Sequence, residues 1–148
     1  MMFMPLMANA SSVNEEQLFH RLDSYIAQRS KFTQRKEAKL LRLKKQLYMT
    51  SDKRSQLSLY NQIYREYYTY RYDSAMTYAK KGYQLAVQLQ DDYFINLNKI
   101  NRAAVLSTGG FYSQAEDLML AMDMEKMSPK LLQYYYYTLT WVYNYWEN

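Results

Sequence analysis

Apolar positions recur at three- and four-residue steps from Leu18 onward: Leu18, Leu22, Tyr25, Ile26 and Phe32, then, after a slip near Gln34, Leu40, Leu43 and Leu47. This spacing keeps apolar side chains on one face of a helix. Neither Pro nor Gly interrupts residues 15–48, so the pattern predicts one long helix, or two with a bend. Asn14 is placed to cap its start, and Glu15 and Glu16 complement the positive end of the helix dipole. The helix should end near Met49-Thr50-Ser51-Asp52, where Ser51 or Asp52 can cap the next one.

Beyond that point the chain resembles itself. Tyr72-Asp73-Ser74-Ala75 and Tyr112-Ser113-Gln114-Ala115 lie forty residues apart. A helical pattern precedes each (Leu59, Ile63, Tyr67; then Leu97, Ile100, Ala104), and another follows (Ala79, Gly82, Leu85; then Met119, Met122). A further helix over 131–146 stands where a third unit would begin. Helix pairs recurring at such a period predict a stacked solenoid, because no single pair can bury its apolar face alone.

Composition narrows the choice further. Three Gly and two Pro are too few for a turn-dense β architecture and favour an all-α fold with short links. The absence of Cys excludes thiol catalysis, disulfide scaffolds and cysteine-based zinc sites. The net charge of +5 is uneven. Residues 29–54 hold ten basic side chains against Glu37 and Asp52, a local charge of +8, and the remainder carries −3. The long first helix is therefore basic as well as amphipathic.

The small residues and aromatics of the repeat resemble those of tetratricopeptide (TPR) units. The repeat-defining positions are Tyr72, Ala75, Ala79 and Gly82 in one unit and Gly110, Tyr112 and Ala115 in the next, where Met119 and Met122 depart from the small-residue pattern. Ala or Gly allows two antiparallel helices to approach closely, and the aromatic fills the space beside them. The tryptophan and Leu-Gly pair of the consensus first helix are missing, and the period exceeds the usual value of about 34 residues. More narrowly, Leu22-Asp23-Ser24-Tyr25-Ile26, the basic helix, Leu59-Tyr60-Asn61 and Tyr134-Tyr135-Tyr136-Tyr137 resemble the amino-terminal part of bacterial membrane-anchored TPR regulators. In that family an exported repeat domain precedes one membrane helix and a cytoplasmic helix-turn-helix part. The resemblance implies a TPR-like solenoid of antiparallel helix pairs, preceded by the long basic helix at 11–50. The repeats would span 51–148, divided at about 51–90, 91–128 and a half repeat at 129–148. It also implies a non-catalytic protein- or peptide-binding module, the exported sensor or scaffold half of such a regulator.

Candidate chemistry is sparse, and no enzyme activity, metal or cofactor is expected. His20 has Glu16 and Asp23 within one helical turn but reads as a surface residue. Asp91-Asp92 reads as a helix cap rather than a metal site, and Thr108-Gly109-Gly110 as an inter-helix turn, since it lacks the spacing of a phosphate loop. Counting from the repeat alanines places Tyr60, Tyr64 and Tyr67, then Asn101 and Ala104, then Tyr137 and Asn144 on the face that lines a TPR groove. Tyrosine supplies a large contact area with few rotors and a polar tip, which suits peptide recognition. Each of these tyrosines also has inter-helix packing as an alternative role.

Two further partners are considered. Arg35, Lys36, Lys39, Arg42 and Lys45 form a basic surface, which either is a solvated helix face or serves a cytoplasmic nucleic-acid-binding adaptor through residues 29–54; no nucleic-acid motif accompanies it. The helix at 131–146, carrying Trp141, Val142, Tyr143, Tyr145 and Trp146, is apolar almost all round and offers a surface for self-association. At the other end, the apolar run 1–7 followed by Ala8-Asn9-Ala10 has the small-residue spacing of an export cleavage site, without a basic leader. It is either the remnant of an export signal, with an extracytoplasmic location, or an apolar tail on a cytoplasmic chain. No run of residues is apolar enough to span a membrane.

Overall fold

The computed structural model describes residues 15–146, so the expected export remnant at 1–10 and the Asn14 cap lie outside the described residues. Every regular element among them is helical: α1 (Glu15–Met49), α2 (Lys53–Tyr68), α3 (Tyr72–Gln88), α4 (Asp92–Thr108), α5 (Tyr112–Leu120) and α6 (Pro129–Trp146), with one 3₁₀ turn at Met124–Lys126. The chain divides into two compact units, one ending at Ala38 and one beginning at Lys39. The boundary falls within α1. Residues 15–35 of that helix are exposed all round, and its apolar stripe becomes buried only at Leu40 and Leu43.

The second unit is a TPR-like helical repeat. Helices α3, α4 and α5 begin at Tyr72, Asp92 and Tyr112, so a new helix starts every twenty residues and a pair repeats every forty. The three links between α2 and α5 (69–71, 89–91 and 109–111) each hold three residues, which forces sequential helices into antiparallel contact. Local chemistry sets these boundaries. The Ser55 backbone N–H donates to Asp52 Oδ2 at 2.8 Å, and the Phe94 N–H to Asp91 Oδ1 at 3.1 Å, so each aspartate caps its helix. Gly110, at φ 81°, takes the left-handed conformation that turns the chain from α4 to α5.

Small residues bring the helices together. Ala75, Ala79, Ala86, Ala103 and Ala115 are buried almost completely. A Cβ added to Gly82 of α3 would lie 2.6 Å from Asn98 Oδ1 of α4, inside van der Waals contact, so the Asn98 side chain would have to shift. The core runs through the stack in contiguous clusters. One gathers Leu40 and Leu43 of α1 with Leu59, Ile63, Tyr64 and Tyr67 of α2, and with Ala75 and Ala79 of α3. Another joins Leu97 and Ile100 of α4, Met119 of α5, and Leu131, Tyr135 and Val142 of α6. Met119 and Met122, which interrupt the small-residue pattern, are both buried core residues. Thioether side chains adapt to irregular gaps, which suits the point where α5 ends early and the strict twenty-residue spacing is lost.

Candidate functional site

At the centre of the second unit, Asn101 of α4 is 1% exposed and joins three helices. Its Nδ2 donates to Asn61 Oδ1 of α2 at 3.3 Å, and its Oδ1 accepts from Tyr134 Oη of α6 at 3.1 Å. The Tyr64 hydroxyl of α2 donates to its backbone carbonyl at 3.3 Å. Asn61 and Asn101 are forty residues apart, the same position in successive units, so the node repeats one amide against its own equivalent. Burial pushes the phenols of both Tyr64 and Tyr134 up from their usual range.

Outside this node lies an open groove on α2, α4 and α6. One cleft, of about 260 Å³, has Ala104, Ser107 and Thr108 of α4 as its floor and Tyr68, Tyr134, Tyr137 and Trp141 among its walls. A second, of about 390 Å³, shares Tyr134 and Tyr137 with the first and continues past Leu97 and Tyr93 to Arg65 and Lys130. Along α6 the rings of Tyr137 and Trp141 meet edge-on at 6.0 Å, and those of Trp141 and Tyr145 stack at 5.1 Å. These three are 60%, 41% and 48% exposed. A ladder of aromatics at four-residue spacing is thus presented to solvent, with two cations at the far end of the groove and small side chains as its floor.

The residues predicted to line the groove divide between its surface and the interior. Ala104 and Tyr137 line it. Tyr64 and Asn101 form the buried node. Tyr67, 3% exposed, stacks between Tyr70 and Tyr78, with the Lys44 ammonium 5.2 Å from its ring centre. Tyr60 is half-buried against Tyr78, and Asn144 is exposed away from both clefts. On α2 the groove face lies one residue later than the count from the repeat alanines places it. One residue rotates a helix by about 100°, so Arg65 and Tyr68 face the groove while Tyr64 and Tyr67 point inward. Tyr134, Trp141 and Tyr145 also line the groove, and their signal in the sequence is that they continue a stripe through Tyr137 at steps of three and four.

Among the repeat-defining residues, Ala75, Ala79, Gly82 and Ala115 are buried, Tyr72 and Tyr112 half-buried, and Gly110 exposed at its turn. Of the basic-surface residues, Arg35, Arg42 and Lys45 are exposed and Lys36 is half-buried. Lys39 is exposed as well and forms an ion pair with Glu66 of α2 at 2.7 Å. Among the described residues no group of three or more His, Asp or Glu is placed to hold a metal, and no helix is long and apolar enough to cross a membrane.

The family model described as the SusR N-terminal TPR domain matches residues 26–148. No curated protein and no solved structure gives a significant match.

Replacing Asn101 with Ala removes its hydrogen bonds to the half-buried Tyr134 and to Asn61, and leaves the Asn61 amide without this partner. The expected cost is about 1–3 kcal/mol of unfolding free energy, read as a lower urea midpoint at unchanged slope. A loss below about 0.5 kcal/mol, the size of an ordinary surface change, would deny the amide its structural role.

Proposed function

We propose that this chain, which belongs to the SusR N-terminal TPR domain family, is a non-catalytic module that binds a protein or peptide segment along the α2–α4–α6 groove. TPR domains are in general protein-interaction modules, and the observation that carries the reading is the exposed ladder Tyr137–Trp141–Tyr145 above the small-residue floor. Tyr and Trp combine large apolar faces with hydrogen-bonding tips and lose little rotamer entropy when a ligand covers them. The floor of Ala104 and Ser107 gives an inserted side chain room between the ladder and Tyr68. Arg65 and Lys130 at the other end favour a carboxylate on the bound segment.

The module serves, in this reading, as the sensor or scaffold half of a membrane-anchored regulator, exported through the signal whose end is Ala8-Asn9-Ala10. The exposed aromatics of α6 provide a secondary surface for self-association. The family assignment and the export-like spacing support this role.

Two outcomes test the proposal. Peptides selected from a random library on the intact chain should bind the Tyr137→Ala/Trp141→Ala variant at least about tenfold more weakly, as expected for truncating aromatic anchors, with the helical circular dichroism unchanged. Peptides that bind the variant as well as the parent would remove the groove from consideration. In fractionated native cells, an antibody to the chain should detect a membrane band well above 17.9 kDa. A cytoplasmic soluble band at that mass would contradict the exported-sensor role without touching the groove.

A further inference from the structure

The exposed part of α1 carries an apolar face that the groove does not use. Leu18, Leu22, Tyr25, Ile26 and Phe32 are each about half exposed or more, and they lie on one side of the helix. From Leu18 to Phe32 the stripe runs about 21 Å at the rise of an α-helix. A single helix of this kind gains little in water by itself and holds its shape best when the stripe is covered.

The charges along the same segment indicate what covers it. Residues 15–25 hold Glu15, Glu16 and Asp23 against Arg21, whereas residues 26–36 hold Arg29, Lys31, Arg35 and Lys36 with no acidic side chain. The segment is thus negative at its start and positive at its end, with Tyr25 and Ile26 at the change of sign. We propose that residues 15–36 of α1 pair antiparallel with the same segment of a second copy of this chain, about a two-fold axis near Tyr25.

In that arrangement the acidic end of each helix lies along the basic end of the other, and the two helix dipoles oppose. Leu18 of each copy comes opposite Phe32 of the other. The two Tyr25–Ile26 steps meet at the axis, and the Arg29 stem covers Leu22 while its guanidinium reaches water. A parallel pair would set four cations against four and is disfavoured by the same charges. The surface is self-complementary, as a two-fold interface must be.

The chain has no Cys, so single cysteines report the register directly. Light scattering of the parent chain should give twice 17.9 kDa, falling toward 17.9 kDa as salt is raised. Under mild oxidation, Tyr25→Cys should cross-link to itself. Leu18→Cys alone and Phe32→Cys alone should not, because about 21 Å separates each from its own equivalent, but the two mixed should form the disulfide. A parent chain that stays monomeric would overturn the proposal. So would Leu18→Cys cross-linking to itself, which means a parallel pair, or a dimer that none of these cysteines captures, which places self-association elsewhere, such as α6.

Discussion

A single buried amide sets the geometry of the repeat unit. Asn101 has its donor and its acceptor taken by different helices, α2 and α6, while its own helix lies between them. Apolar contacts hold helices together but tolerate small slides and rotations. A satisfied buried amide does not, because a shift of an ångström or two leaves polar groups unpaired in a low-dielectric interior. The alanines and Gly82 allow the close approach, and the node fixes the register at which it occurs.

The groove follows from that register. Tyr134 is held by Asn101, and one, two and three helical turns further along α6 the side chains of Tyr137, Trp141 and Tyr145 face outward. The tyrosines therefore serve two purposes that depend on which way each points. Tyr64, Tyr67 and Tyr135 fill the interior, Tyr64 spending its hydroxyl on a backbone carbonyl. Tyr68, Tyr137 and Tyr145 bound an open cleft. Tyr134 belongs to both, since its ring walls the groove and its hydroxyl ends in the node.

What could be read from the sequence was whatever local chemistry decides. Asp52 and Asp91 cap the helices they precede, Gly110 turns the chain after α4, and the forty-residue offset between Tyr72 and Tyr112 marks successive helix starts. The facing of α2 was not legible, because counting from the alanines of α3 leaves an uncertainty of one residue, and one residue exchanges Tyr64 for Arg65. Asn101 reads in the sequence as a groove residue, but it is buried and ties helices together. A polar residue among apolar ones suggests a ligand until a second amide, Asn61, is found opposite it. The stripe on α1 was legible as a stripe, but its periodicity is the same whether the helix packs in a core or stands exposed.

The central claim is that Asn101 ties α2, α4 and α6 into one cooperative body. Native-state hydrogen exchange followed by peptide fragments measures it directly. The slowest amides of α2, α4 and α6 should exchange together, with one shared dependence on urea. If α6 exchanged well before α2 and α4 by a local opening of its own, the node would not hold it and the groove would have no fixed wall.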